Sequence, residues 1–328
     1  MVVLVKQSTL AIALLFLLSA TAIAADVYQL SELNTRQIES LDHENTVILI
    51  PGGILEQHGP YLPSFSDGYV NLDDANQLST DLSDLGWDVV VFPIVPLGSG
   101  GANEIGNKQV FAGTYAIRPE TVRAVFMDIA TELGEQGFRY IFILHGHGSP
   151  SHNMALDQAG LYFKDEFGGE MHNLFGIWST SPSEVVLSEV ARREDGFTVH
   201  AGAEETSSVL YVRPDLVADD VKAAPIVKGD NFTDLMRIAS ADGWTGYFGS
   251  PRQADASIGE KLAKARYKHH LELATKILRG EKLTNVMTHS SMAYGHPEMG
   301  EVVEKSRDEH SRRAKQQQDW IKRNNADL

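Results

Sequence analysis

Three short stretches of the chain crowd histidines and carboxylates among glycines: residues 51–67, 144–153 and 199–208. In chain order, the side chains that they offer are Glu56, His58 and Asp67; His145, His147 and His152; and His200, Glu204 and Glu205. Imidazole nitrogens and carboxylate oxygens hold divalent ions such as Zn²⁺ and Mn²⁺, and catalytic sites keep one position open for water. The three stretches therefore predict a hydrolytic metal centre.

The number of these side chains indicates more than one ion. Two histidines with three carboxylates exceed what one ion needs, and an aspartate can bridge two ions that lie roughly 3.5 to 4 Å apart. Each stretch also has a simpler explanation when taken alone. Asp67 is a favoured residue for capping a helix, the "HGHG" stretch fits an exposed turn, and Glu204 or Glu205 suits the start of a helix. The metal hypothesis depends on the three stretches together.

Apolar, β-branched runs alternate with helical patterns along the chain. The predicted strands are 46–51, 87–97, 139–146 and 173–180, and the predicted helices are 67–86, 119–137, 151–168, one from about 203, and 258–280. This alternation predicts an α/β fold with a mostly parallel sheet. Ligands of such sheets bind beyond the carboxyl ends of the strands. Each of the three stretches follows a strand-like segment, so all three are expected to meet at that edge.

Composition excludes several classes of function. The 328 residues include no cysteine, which excludes disulfides, a thiol nucleophile and thiolate metal ligands. The net charge of -16 argues against nucleic acid and anionic lipid as partners, since both attract basic patches. A small molecule is the expected partner.

The two ends of the chain differ from the middle. Residues 1–25 combine Lys6, an apolar stretch and small residues around Ala24, which is typical of a cleaved signal peptide and predicts a periplasmic or secreted protein. An uncleaved anchor is the alternative, although the apolar stretch is short against the ~20 residues of a membrane span. One domain is expected over 27–285, followed by a charged extension, 286–328, whose end is a solvated helix or frayed.

The order and spacing of these motifs resemble a known family. "PGGILEQHGPYLPSFSD", "HGHG" followed by Asn153, and "HAGAEETS" are similar to the signature stretches of the creatininase (creatinine amidohydrolase) family. The resemblance extends over about residues 45–280 and includes "GSPRQADASIGEKL" at 249–262. It implies a layered α/β/α sandwich, one or two ions of Zn²⁺, or else Mn²⁺ or Fe²⁺, hydrolysis of a C–N amide bond, and a homo-oligomer.

The resemblance also assigns residues. By position, Glu56, His58, Asp67 and His147 match the family's metal ligands, Glu205 matches a further ligand with a catalytic role, and His200 matches a histidine suited to proton transfer. Asp67 is expected to bridge two ions.

Three departures from the family concern the pocket. Ser149 stands where creatinine-opening enzymes place a glutamate ligand, which makes Glu205 the stronger candidate. His145 replaces a common asparagine, and Lys108 falls where many members carry histidine, although Gly113 and Thr114 are kept. Creatinine itself is therefore not the expected substrate.

The expected function is a metal-dependent amidohydrolase acting on C–N bonds other than peptide bonds, in a small or cyclic amide or a short peptide-like molecule. Metal-activated water attacks the amide carbon, and His200 protonates the departing nitrogen. Two alternatives stay open: a metal-dependent lactonase or isomerase, and a non-catalytic periplasmic protein that binds a metal or small molecule. Incorporation of ¹⁸O from water would distinguish hydrolysis from isomerisation, and binding without turnover would indicate the third.

Overall fold

The structure is a computed structural model that describes residues 25–179, 186–288 and 297–324. Its centre is a sheet of five strands, β1 Val27–Gln29, β2 Thr46–Pro51, β3 Asp88–Val91, β4 Tyr140–Leu144 and β5 Glu170–Asn173. The strand order is β1-β3-β2-β4-β5, and every neighbouring pair is parallel. The predicted α/β fold with a mostly parallel sheet is confirmed.

Strands β2 and β4 lie at the centre of the sheet. Every residue of β2 is buried, as expected for a parallel strand that is covered on both faces. Pro51 pairs with Leu144 at the carboxyl ends of the two strands. The chain segments that follow them therefore leave the sheet side by side.

Helices cover both faces of the sheet. In chain order they are α1 Thr35–Glu39, α2 Ser66–Asp84, α3 Pro119–Glu135, α4 Pro150–Phe167, α5 Glu189–Asp195, α6 Ala203–Val212, α7 Phe232–Ser240, α8 Ala256–Leu278 and α9 Pro297–Arg323. On β2, Ile48 and Ile50 pack with α3 and α4, whereas Val47 and Leu49 pack with α2 and α8. The period-two alternation of strand side chains thus builds the three layers of the predicted sandwich.

Two of the predicted strands have different bounds. The strand predicted over 87–97 is short, because Pro93 and Pro96 follow β3 and a proline has no N–H for the ladder. The prediction of one continuous strand over 173–180 in the central sheet was wrong. The strand at that edge of the sheet is β5, and a 3-10 turn at Leu174–Gly176 separates it from β6, Ile177–Ser179. Strand β6 pairs antiparallel with β7, Val286–Thr288, in a separate sheet.

The charged extension contributes a long helix, α9. Its Ser306 and His310 are buried, and the Ser306 hydroxyl donates to the Glu104 carboxylate. Arg313 donates to the Gln109 carbonyl at 3.0 Å. Helix α9 therefore docks beside the 3-10 helix Ala102–Gly106.

The predicted signal peptide lies outside the described residues, apart from its last position. Within the residues that are described, no helix combines the length and the apolar character that crossing a membrane requires. The signal peptide stays a prediction.

Candidate metal centre

The carboxyl ends of β2 and β4 deliver the first two of the predicted motifs. After β2, the chain loops over the sheet edge with Glu56 and His58 and then enters α2, whose first turn carries Asp67. The loop lies directly on the start of the helix. A Cβ atom on Gly53 would come within 2.9 Å of the Gly68 nitrogen, so the motif requires glycine at this close approach. His147 follows β4.

Helix α6 completes the site from a distant part of the sequence. Its first turn carries Glu205, and His200 lies just before the helix. The folded chain thus brings together all six residues that the family resemblance assigned.

Two groups of ligand atoms share Asp67. In the inner group, His147 Nδ1 lies 3.1 Å from Glu56 Oε1 and 3.2 Å from Asp67 Oδ2. In the outer group, His58 Nε2 lies 3.3 Å from Asp67 Oδ1 and 3.4 Å from Glu205 Oε1. Each carboxylate oxygen of Asp67 faces a different group, as a bridging ligand would.

Backbone carbonyls fix which nitrogen of each imidazole carries a proton. His58 Nδ1 lies 3.1 Å from the Glu56 carbonyl, and His147 Nε2 lies 3.0 Å from the Gly100 carbonyl. A carbonyl only accepts hydrogen bonds, so the nitrogen beside it must be the donor. The opposite nitrogen of each neutral ring then directs its lone pair at the carboxylates. Metal-ligating histidines are oriented by such contacts.

The residues fit divalent ions in both groups. His58 and Asp67 are buried, with 1% and 8% exposed. Within the described residues, His58 Nε2 and Asp67 Oδ2 have no hydrogen-bond partner. Ligand atoms bound at about 2.0 to 2.2 Å around one tetrahedral ion would be separated by about 3.4 Å. The observed separations of 3.1 to 3.4 Å agree with that value.

The directions of the pKa shifts indicate that positive charge beside the carboxylates of the site is favourable. Burial alone would raise the pKa of Asp67, but the facing His147 and His58 outweigh it and hold that pKa below its usual range. Burial alone would lower the pKa values of His58 and His147. Glu205 and Asp67 for His58, and Glu56 and Asp67 for His147, instead raise these pKa values well above the usual one. Positive charge at this place is therefore favoured, and divalent cations bound by the neutral rings would supply it.

His200 stands beside both groups. Its Nε2 donates to the Gln57 carbonyl at 2.6 Å, and its Nδ1 lies 3.8 Å from Glu56 Oε1. Its ring centroid is 4.3 Å from that of His58. Glu56, His58 and His200 also form a third group whose ligand atoms lie within 4.8 Å of one another.

The geometry distinguishes Glu205 from Glu204. Glu205 accepts a hydrogen bond from the Ala201 amide with one oxygen and faces His58 with the other. Its side chain is 34% exposed, which makes it the open side of the outer group. Glu204 is exposed and belongs to none of the three groups found among the described residues.

The remaining histidines of the second motif lie behind the centre. His145 Nδ1 is 3.3 Å from His152 Nε2, and both residues are fully buried. Burial lowers the pKa of His145 to about 3. The His152 ring packs edge-on against that of His147. These two residues support His147 and are not part of the ligand groups.

Two of the departures from the family have structural explanations. The Ser149 hydroxyl lies 3.0 Å from that of Ser151, and a Cβ atom on Gly100 would come within 2.0 Å of the Ser149 oxygen. The Lys108 ammonium donates to the carbonyls of Ala239 and Ala241, at and just beyond the end of α7. Lys108 therefore links its own segment to the end of α7.

The sequence motifs did not predict several contacts that support the segment after β2. The Ala102 amide donates to Glu56 Oε2 at 2.9 Å, and Thr114 Oγ1 accepts from the Gln57 amide at 3.1 Å. Asn71 donates to the Gly52 carbonyl at 2.6 Å. Asn71 lies four residues after Asp67 on α2, so the shared helix face could have indicated it. A backbone amide such as that of Ala102 leaves no signal in residue type.

Comparison with known protein families shows which family this chain belongs to. The model of a family described as "Creatininase: Creatinine amidohydrolase" matches residues 31–274. The chain belongs to the creatininase family. Membership supports a hydrolase and agrees with the metal-binding geometry of the site.

A relative and three solved structures extend this result. The "Mycofactocin precursor peptide peptidase" of Mycolicibacterium smegmatis is 26% identical over 240 residues, which is 71% of this chain and 85% of the relative. The structures are two mutant creatininases, one of them of "Zn-Zn type", and a manganese creatininase. Each is 18% identical and covers 77% of this chain and 99% of its own, with TM-scores of 0.61, 0.57 and 0.58 respectively. These structures confirm the fold.

Proposed function

We propose that this chain is a metal-dependent amidohydrolase that cleaves a C–N amide bond with metal-activated water. The observation that carries the proposal is the pair of ligand groups that share Asp67. Backbone carbonyls fix the imidazoles of both groups for ligation. Family membership supports the reaction class.

The two groups would each hold one ion. Glu56, Asp67 and His147 would hold the inner ion, and His58, Asp67 and Glu205 the outer ion. Divalent ions at these positions would lower the pKa of water from about 15.7 towards ~7 and polarise a substrate carbonyl. We propose Zn²⁺, with Mn²⁺ or Fe²⁺ as the alternatives, since the ligand types suit all three. Related structures include a creatininase of "Zn-Zn type" and a manganese creatininase.

His200 is proposed to transfer the proton. Its Nε2 proton is committed to the Gln57 carbonyl, so Nδ1 is the atom that exchanges a proton with the reacting groups. Nδ1 faces Glu56 and therefore points toward the ligand groups. Nδ1 would accept the proton that the attacking water gives up and deliver it to the departing nitrogen, which would complete cleavage of the C–N bond.

The proposed substrate is a small or cyclic amide or a short peptide-like molecule. The sequence alone favoured bonds other than peptide bonds, but a relative named as a peptide peptidase extends the range to short peptides. Ser149 offers no carboxylate where creatinine-opening enzymes have one, and creatinine is accordingly not proposed.

We also propose that the protein is exported and forms a homo-oligomer. The first proposal is supported by residues 1–25 and predicts a mature protein that begins near Ala25 or Asp26. Sequencing of the N-terminus after expression with an intact secretion pathway tests it. Sedimentation of the mature chain tests the second.

The function is tested by substrate screening of metal-reconstituted protein. Mature protein is stripped with a chelator, loaded with Zn²⁺ or Mn²⁺, and assayed against linear amides, cyclic amides and short peptides in ¹⁸O-labelled water. We expect hydrolysis with label in the product, and its loss in His147→Ala. His172→Ala is the matched control, because His172 pairs with Glu170 on β5 and should leave activity unchanged. Full activity in His147→Ala would contradict the proposal, as would turnover without label.

A further inference from the structure

Two adjacent acidic residues, Glu194 and Asp195, end helix α5. Carboxylates at a helix C-terminus face the negative end of the helix dipole, which is locally unfavourable. Residues that violate a local preference commonly serve another part of the structure. Both carboxylates make their contacts with segments outside α5, and together they are called the α5 clamp.

Asp195 caps helix α6 from outside that helix. It is 3% exposed, and its Oδ1 accepts from the Ala203 amide at 2.9 Å and the Ser250 amide at 2.7 Å. The N-cap residue of α6 is Gly202, which has no side chain to cap the helix. Asp195 therefore supplies the hydrogen bond that an N-cap side chain would normally provide.

Neighbouring segments of the same chain leave space for the Asp195 carboxylate. A Cβ atom on Gly249 would lie 2.3 Å from Asp195 Oδ1, and one on Gly202 would lie 3.0 Å from the same atom. Gly249 also has a φ of +81°, a conformation that favours glycine. Two glycines thus flank a buried carboxylate that accepts two backbone hydrogen bonds.

Glu194 accepts hydrogen bonds from the same segment that Asp195 contacts. It accepts from Ser250 Oγ at 3.1 Å, from Arg252 Nε at 3.0 Å and Nη2 at 2.9 Å, and from Gln253 Nε2 at 2.7 Å. This pair with Arg252 is partly exposed, so its contribution to the free energy of unfolding is small. Its effect is on geometry, because four hydrogen bonds hold residues 250–253 against α5.

The segment between the clamp and the metal centre is strained. Ala201 has a φ of +53°, which an alanine adopts only when its surroundings impose it. The Ala201 amide donates to the Glu205 carboxylate, and the His200 carbonyl accepts from the Phe248 amide at 3.1 Å. The peptide group between His200 and Ala201 thus has both its carbonyl and its amide hydrogen-bonded.

We infer that Asp195, assisted by Glu194, is a positioning residue for the outer half of the metal centre. By fixing the start of α6, it holds Glu205 against His58 and His200 beside Glu56. This inference deepens the proposed function and rests on it. It assigns to Asp195 a selective effect on the outer ion, since none of the inner ligands lies on α6 or its preceding turn.

A manganese titration of the full mature chain tests the clamp. Binding is followed by metal analysis and by electron paramagnetic resonance, which distinguishes two coupled Mn²⁺ ions from one. We expect two coupled ions in the wild type. In Asp195→Ala the second ion should bind about 10- to 100-fold more weakly, the usual effect of removing an outer-shell partner. Asp195→Asn should restore second-ion affinity to within about threefold, because its amide oxygen can accept both backbone hydrogen bonds.

Asp255→Ala is the matched control for a capping role alone. Asp255 caps α8 by accepting from the Ser257 amide at 2.8 Å. We expect this variant to lower Tm while both Mn²⁺ ions still bind as in the wild type. Unchanged second-ion affinity in Asp195→Ala, or an equal loss in Asp255→Ala, would overturn the inference.

A second variant covers the case in which Asp195→Ala does not fold. Glu194→Gln leaves the Asp195 cap in place and weakens only the contacts to residues 250–253. It should weaken the second ion several-fold and leave the first unchanged, and wild-type binding of both ions would contradict the clamp. A wild-type chain that binds neither Mn²⁺ nor Zn²⁺ would instead contradict the proposed function itself.

Discussion

The inner and outer groups of the candidate metal centre share Asp67 but are built in different ways. The inner residues Glu56, Asp67 and His147 are all buried and come from the ends of β2 and β4 and the start of α2. The outer group relies on Glu205, which is partly exposed and lies at the start of α6. The inner group is placed from the ends of the strands and the start of α2, whereas the outer group also depends on α6, whose Ala203 amide donates to Asp195 of α5.

Because of this difference, the positions of the two ligand groups depend on different parts of the fold. The register of Pro51 with Leu144 fixes the inner group as long as the sheet is folded. Glu205 has no such link to the strand register, because it lies on α6 and its carboxylate accepts from the Ala201 amide. Substitutions on the two sides should therefore produce different patterns of metal loss.

The largest effect is expected from Asp67→Ala, which removes the residue common to both groups. Metal analysis should show a fall from two bound ions to none, and activity should fall by at least about 100-fold. Asp73→Asn is the control on the same helix, since Asp73 accepts a hydrogen bond from the Tyr267 hydroxyl. Retention of both ions by Asp67→Ala would show that the two groups do not share a bridge.

Glu205→Ala should affect the outer ion alone. One ion should remain bound per chain, and hydrolysis should fall by about 10- to 100-fold. Glu204→Ala differs by one position and should keep both ions, because Glu204 is exposed and outside the ligand groups. If the two variants lost metal equally, the distinction between these neighbouring residues would be wrong.

A smaller effect concerns the packing of α8 beside α2, where His270 Nδ1 lies 3.7 Å from Asp74 Oδ2. His270 on α8 is 3% exposed, and burial, with His269 and Arg266 nearby, lowers its pKa to about 3. Because the unfolded chain takes up this proton near pH 6.5 and the folded chain does not, stability falls as pH decreases from 6.5 towards 3. Between pH 7.5 and 5 this residue should cost about 2 kcal/mol.

Urea unfolding of the wild type and His270→Gln at both pH values measures that contribution. The variant should lose less stability than the wild type as pH falls. Comparison between the two chains is needed because burial raises the pKa of the nearby Asp74 to about 6, which acts in the opposite direction. Equal losses in both chains would show that His270 is not the acid-sensitive group.

The sequence was most informative about the inner side. The ends of the apolar runs at 46–51 and 139–146 located the first two motifs, and a parallel sheet brings such ends together. The predicted ligands Glu56, His58, Asp67 and His147 all lie in one site. Their roles as ligands remain predictions until metal is measured.

The outer side was harder to predict. Glu204 and Glu205 have the same chemistry, and only the orientation of α6 separates them. Asp195 is remote in the sequence from Ser250 and carries no motif, so nothing in the residue pattern indicated its contacts. The edge strand was misplaced for a similar reason, since apolar content at 173–180 could not reveal the 3-10 turn that interrupts the run.

The central claim is that two divalent ions share Asp67. Chelator-stripped wild-type chain reconstituted with Mn²⁺ tests it most directly, with metal analysis for the number of ions and paramagnetic resonance for their coupling. The structure predicts two ions per chain with an exchange-coupled spectrum. A chain that binds neither Mn²⁺ nor Zn²⁺, or that binds two Mn²⁺ ions without coupling, would contradict a centre bridged by Asp67.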